Sequence, residues 1–493
     1  MAGDFLRSHG IDIDAEMSRI QLGGDALDGT AAWQEARETS QADQFKSGLQ
    51  CITNVSLPNT EPESRWDVEI ATNHVSSISS HASAVVGEEP AQRESYIDGH
   101  GALLAPSLCH PHVHLDKAFL LSHPKYADLQ IERGDFAEAM ELTGKAKALF
   151  EREDLLERGQ RLIDESVAAG VTHMRAFVEV DAGVGLKCLE AGIELKKAAE
   201  SAGRCYVQIC AFAQLPLFSE SRDDPEGKMI RGLMEDAAGR KEVDCVGSTP
   251  YVEADRGLME RNVQWLVELS GRMGVHLDFH LDYNLDPETK PMVWFVVAEL
   301  KKQRWVEQAE RQRTVVLGHC TRLTLFSDDE WRKLKDEIAD LPISFVGLPT
   351  SDLFMMRTPD HTRGTLEVPR LIKEYGLNAC MGINNIGNAF TPHGSCDPMT
   401  LACNGVGVYQ AGTKQEADLL YECVSTRARA AIGLGRVQEG VDVGLEVKKG
   451  DRDLLLFGAE KEEWRTRKSV AEAVYLYDHC PDRRVIHEGK LVS

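Results

Sequence analysis

Residues 110–119 read His-Pro-His-Val-His-Leu-Asp-Lys-Ala-Phe. With Val113 between them, His112 and His114 point to one side of an extended strand. Two imidazoles side by side can hold one metal ion, and neutral His is the usual nitrogen ligand. The pair alone is weak evidence. At the His content of this chain, 16 in 493 residues, roughly 0.5 His-x-His pairs arise by chance, the false-positive risk of any short motif. It gains weight only when further ligands arrive at the ends of other strands.

Working outward, apolar strand-like runs alternate with helical patterns. The spacing predicts helices over 155–168, 186–201, 258–272, 293–308, 328–340 and 365–375. Strands are expected at 172–180, 205–213, 243–247, 275–281, 314–319, 343–347 and 378–383. Gly170, Gly203, Gly274 and Gly376 fall where helix C-caps belong. With the His112 strand this makes eight strands, most followed by a helix, which points to a (β/α)8 barrel. A doubly wound sheet is disfavoured because no Gly-x-Gly-x-x-Gly follows the first strand. A barrel places its chemistry at the C-terminal ends of its strands. There, strand one carries His112 and His114, strand five His280, strand six His319, and strand eight Asn384 and Asn385.

The two ends of the chain read differently from the middle. Residues 1–48 are polar and aperiodic, an expected N-terminal extension. Short alternating runs at 51–57, 66–70 and 75–79, and again at 453–458 and 485–492, read as half-buried strands. The expected organisation is thus a small β-sandwich from 49–107 and 439–493, flanking a barrel over 108–438.

Hydrophobic residues make up 42% and charged residues 27%, the balance of a soluble globular protein. The net charge of −24 repels phosphates and argues against nucleic acid or an anionic membrane as partner. The twelve cysteines include no Cys-x-x-Cys and mostly sit in apolar runs. They are expected to be reduced thiols of a cytoplasmic protein. The N-terminus shows no apolar secretory core. The expected partner is a small-molecule substrate, with self-assembly into a homo-oligomer.

The stretches from Leu104 to Lys117, Gln208 to Gln214, His280-Leu-Asp, Gly318-His-Cys-Thr and Met381-Gly-Ile-Asn-Asn resemble the amidohydrolase superfamily, in its cytosine-deaminase-like branch. The resemblance covers everything after the extension. It implies a metal-bearing TIM-type barrel with a β-sandwich built from both chain ends. It also implies one divalent ion, zinc or iron, on His112, His114 and His280, with the strand-eight position, Asn384, touching it. By the same resemblance His319 orients or polarises the substrate, and Gln214 holds its polar edge.

Two positions depart from that pattern. The family's strand-eight Asp, which takes the proton from the nucleophilic water, is Asn384 here. Its strand-five Glu is Tyr283. An amide cannot act as a base near neutral pH, and an unperturbed Tyr titrates near pH 10. Cytosine is therefore an unlikely substrate. One account makes His319, Tyr283 or Asp116 the base; a second makes Asn384 an introduced replacement of Asp; a third moves the barrel away from hydrolysis. Asp116, Lys117 and Asn385 are candidate substrate contacts, the first two equally readable as a rim salt bridge. The expected activity is metal-dependent hydrolysis of a C–N bond in a small cyclic amide or amine. The alternative is a lyase, a cyclase or a ligand-binding pseudoenzyme on the same scaffold.

Overall fold

A computed structural model of the chain describes residues 49–82, 95–219, 227–308, 313–437, 441–458, 463–480 and 482–493. The expected N-terminal extension lies outside them. The described residues open with five short strands, β1 Cys51–Val55, β2 Trp66–Ala71, β3 His74–Ser80, β4 Tyr96–Asp98 and β5 Leu104–Pro106. The barrel strands follow: β6 Leu108–His114, β7 Val171–Glu179, β8 Tyr206–Ala213, β9 Val243–Ser248, β10 His276–Leu281, β11 Val315–His319, β12 Ile343–Gly347 and β13 Ala379–Met381. They pair in sequence order, every neighbour parallel.

These strands are buried nearly throughout, because helices cover their outer face and side chains fill the interior. Gly170, Gly274 and Gly376 close their helices in the left-handed conformation, at φ 115°, 66° and 60°. A Cβ is disfavoured there. The ring is joined between its first and last strands by the residues that matter most. Asn384, just beyond β13, donates its backbone N–H to His112 O at 3.1 Å and accepts from His114 N at 2.8 Å.

One expected helix is divided, and another helix is new. The helix expected over 293–308 is two, Val293–Lys302 and Trp305–Gln308, with Arg304 between them at φ 53°. The break lets Trp305 bury itself to 1% exposure and donate its indole N–H to Ser270 Oγ at 3.2 Å. A helix the pattern did not announce, α1 Phe136–Lys147, lies between β6 and β7. Asp135 caps it, accepting from Glu138 N at 2.8 Å.

The second layer joins both ends of the chain. After the small pair β14 Arg436–Val437 and β15 Val441–Asp442 come β16 Leu454–Phe457, β17 Arg483–His487 and β18 Lys490–Leu491. One sheet has the order β3-β2-β1-β4 and the other β18-β17-β16-β5. Ile52, Val55 and Val68 from the first share a core with Leu104, Leu454, Leu456 and Ile486 from the second. The helix Val470–Tyr475 departs from this layer and packs against Met399–Val408 and Lys414–Cys423. The twelve cysteines are all free. Among the described residues no helix is long and apolar enough to cross a membrane.

Asp453, just before β16, ties the sandwich to the barrel floor. Its carboxylate accepts from His487 Nδ1 at 2.6 Å and lies 3.9 Å from His173 of β7 and 3.7 Å from Arg429. Burial alone would raise its pKa, but His173, His487 and Arg429 outweigh that and hold it low. Burial also pushes His173 down to about 3. Both shifts have the same sign for stability, since each native group sheds its proton more readily than the unfolded one. Stability is therefore expected to fall as pH drops below about 6.5, where an unfolded His takes up a proton, and more steeply below about 4, where an unfolded Asp does. Asp453→Asn should cost roughly 1–3 kcal/mol at pH 7. In thermal melts its deficit relative to the wild type should narrow below about pH 4.

Candidate active site

His112, His114 and His280 converge at the C-terminal mouth of the barrel. One ring nitrogen from each lies within 4.8 Å of the others. Pro111 sits within a register irregularity between His110 and Val113, where a residue without a backbone N–H is tolerated. Phe177 and Phe212 pack against the imidazoles from below, 4.2 Å from His112 and 4.3 Å from His280 between ring centroids.

All three histidines are at most 2% exposed. Burial first, and neighbouring positive groups second, push their pKa values well below the usual imidazole range. The rings are thereby held neutral, the form that ligates a metal. His112 Nδ1 and Nε2, His114 Nδ1 and His280 Nε2 are buried without a hydrogen-bond partner. Leaving such nitrogens unsatisfied costs free energy, and a shared divalent ion would give the three rings a common partner. The donor set fits one ion with room for a further ligand.

Asn384 stands beside this group at φ 61°. Its Nδ2 donates to Ser351 Oγ at 2.9 Å, and Ser351 Oγ lies 2.6 Å from Thr391 Oγ1. Its Oδ1 is buried with no partner. Behind His112, Asp278 Oδ1 stands 4.0 Å from His112 Nδ1, too long for a hydrogen bond. Asp278 Oδ2 accepts from Arg175 at 3.0 Å. Burial pushes Asp278 up to about 7, against the pull of Arg175.

His319 closes β11 in the left-handed region, at φ 65°. Non-Gly residues held there commonly mark functional sites. Its Nδ1 lies 2.8 Å from Asp352 Oδ1. Asp352 Oδ2 accepts from Thr365 Oγ1 at 2.8 Å and Leu348 N at 3.2 Å. Burial raises Asp352, partly offset by His319. Carboxylate, Nδ1 and ring are thus aligned, and Nε2 remains for the pocket. Asp352 was not anticipated from sequence. Its signal was the Pro-Thr-Ser-Asp run straight after strand seven, which opens the helix Pro349–Met355.

The pocket above these groups is narrow, with about 10 Å³ of free volume. His114, His280, His319, Asn384, Asn385 and Lys117 line it, with Gln214 and Tyr283. Tyr283 stacks on His319 at 3.8 Å between centroids. Burial raises its pKa well above the ordinary value, so it can donate but not act as a base. Lys117 Nζ pairs with Glu179 Oε1 at 2.7 Å, lies 3.4 Å from Gln214 Oε1 and sits 5.3 Å over the Phe390 ring. Asp116 is not among the lining residues. Its Oδ2 accepts from Glu179 N at 2.7 Å, because the chain turning past β6 directs it behind the pocket wall. Sequence reasoning also missed Phe136, Tyr251 and Phe390, which complete an aromatic rim with Tyr283.

No protein-family model matches the chain, and no curated protein matches it. Solved structures do. A 5-methylcytosine deaminase from Klebsiella pneumoniae, liganded with 5-fluorocytosine, matches with a TM-score of 0.74 at 21% identity, over 90% of this chain and 97% of that one. An N-isopropylammelide isopropylaminohydrolase from Burkholderia multivorans matches with a TM-score of 0.68 at 22% identity, over 90% and 98%. A guanine deaminase from C. acetobutylicum matches with a TM-score of 0.58 at 15% identity, over 90% and 100%. The likeness shows the fold: this chain is built as these deaminases and aminohydrolases are, on the (β/α)8 barrel with an added β-sandwich that the sequence resemblance implied.

Proposed function

We propose that this chain is a metal-dependent hydrolase cleaving a C–N bond of a small cyclic amide or amine. One observation supports the reading: three buried histidines bring one ring nitrogen each within 4.8 Å of one another at the barrel mouth. A divalent ion there, zinc or iron, would lower the pKa of a water molecule and yield a nucleophile near neutral pH. The protein's own groups supply the rest. His319, whose Nδ1 is held by Asp352, would accept a proton at Nε2 and return it to the leaving nitrogen. Tyr283 can donate a hydrogen bond to substrate. Lys117, Gln214 and Asn385 form a polar wall for a ring's heteroatoms. The rim of Phe136, Tyr251 and Phe390 favours a planar ring and limits water.

The reading is tested by assaying a panel of cyclic amides and amines with zinc-loaded and chelator-stripped protein. Equal turnover in both forms would sink it. Asp352→Asn should lower kcat about 10- to 100-fold with metal content unchanged. A parallel loss of metal would make Asp352 merely structural.

The alternative, a lyase, cyclase or binding protein, has its own support. The Asn384 amide is built into a hydroxyl network through Ser351 and Thr391, as expected of a residue selected as an amide.

A further inference from the structure

A neutral imidazole carries one bare nitrogen and one N–H. A metal ion can take the bare nitrogen, and the N–H then still needs an acceptor of its own. His112 makes this demand plainly, because both its nitrogens are buried without a hydrogen-bond partner among the described residues.

Asp278 meets the demand from the next layer of the barrel. It lies on β10 two residues before His280, on the same face of that strand. Its Oδ1 is also buried without a hydrogen-bond partner, and it stands 4.0 Å from His112 Nδ1. A donor without an acceptor thus meets an acceptor without a donor, across a gap about 1 Å longer than a hydrogen bond. The carboxylate is firmly held. Its Oδ2 accepts from Arg175 Nη1 at 3.0 Å. Arg175 in turn donates from Nε to Gln208 Oε1 at 3.1 Å and from Nη2 to Ile432 O at 3.4 Å. The same edge of the imidazole lies against Gly318 of β11. A Cβ there would stand 3.0 Å from His112 Cε1 and 3.2 Å from Nδ1, so the ring keeps its place because residue 318 has no side chain.

We propose that Asp278 is a positioning residue of the metal centre: its Oδ1 accepts the Nδ1 proton of His112, which leaves Nε2 as the bare nitrogen for the ion. The inference rests on the metal-dependent reading for the ion itself. A carboxylate behind a ligating histidine fixes its tautomer and its ring orientation. Ligation at Nε2 also makes Nδ1–H a stronger donor, and a movement of about 1 Å closes the gap. Strand β10 then supplies one ligand, His280, and the support of a second.

The first measurement needs no variant. In a crystal structure of the full chain loaded with zinc, His112 Nδ1 and Asp278 Oδ1 are expected within about 3.2 Å, with Nε2 on the ion. Zinc on the three histidines with the pair still about 4 Å apart, or with Nδ1 as the ligand, overturns this inference and leaves the hydrolase reading standing. No zinc at the three histidines overturns both. Asp278→Asn then measures what the contact contributes. Its zinc affinity, read by competition with a chelating dye, should fall about 10- to 100-fold, while the metal-free protein keeps its circular dichroism spectrum. Asp278→Asn leaves the Arg175 charge buried and unpaired, which is destabilising in itself. The titration is therefore repeated on Arg175→Gln/Asp278→Asn, in which both charges are gone, and the same loss is expected. Wild-type zinc affinity in either folded variant overturns the proposal; with a lowered melting temperature, that result would make Asp278 only half of a structural ion pair.

Discussion

His112→Ala is expected to strip the protein of tightly held divalent metal. Removing an outer partner of a metal ligand typically costs 10- to 100-fold in affinity. Removing a ligand from a three-histidine set should cost more than about 100-fold, enough for dialysed protein to emerge nearly metal-free in elemental analysis. His112 touches both other members of the group: its ring centroid lies 5.6 Å from that of His114 and 4.4 Å from that of His280. The control is on the same strand. His110 is equally buried, yet its Nε2 lies 3.1 Å from Ser166 Oγ and it is not one of the converging three. His110→Ala removes a buried imidazole of the same size and should keep its metal. Equal metal content in the two variants, whether both high or both low, would overturn the ligand assignment.

The contrast between His110 and His112 also marks how far sequence could go. The strand pattern is strongly written because barrel strands are buried on both faces and their helices end on left-handed glycines, so Gly170, Gly274 and Gly376 punctuate the chain at the correct places. The placement of His112, His114, His280, His319 and Asn384 around one mouth follows from that punctuation, since every barrel strand ends on the same side. The remainder of the pocket was hidden for a physical reason. Phe136 opens helix α1, and Phe136, Tyr251 and Phe390 all stand in connections outside the barrel strands; period-two or period-3.6 patterning carries no information on where a connection brings such a residue. Asp352 was marked only as part of a helix-opening run. Its role depends on a 2.8 Å approach to His319, a residue 33 positions earlier. Helix α1 was legible in principle: Asp135 followed three residues later by Glu138 is an N-terminal signature, and the cap is formed.

Asn384→Asp decides whether the barrel still carries the logic of a hydrolase. The site can accept the carboxylate. Asn384 Nδ2 now donates to Ser351 Oγ at 2.9 Å, and a hydroxyl can rotate to donate where it had accepted. The other oxygen would occupy the place of Oδ1, which is buried and has no partner. A charged oxygen there is a better metal ligand than an amide oxygen. It is also a base beside the water to be activated. General-base assistance is worth on the order of 10²–10⁴-fold in rate, so a hydrolase that runs on His319 alone should gain turnover on cyclic amides or amines by a factor within that range. Metal retention should rise with it. If the Asn384–Ser351–Thr391 network instead serves a different native reaction, the substitution should flatten or abolish activity while metal content holds. A loss of turnover at constant metal would therefore remove the hydrolase reading, whereas a gain would place the missing carboxylate at this one position.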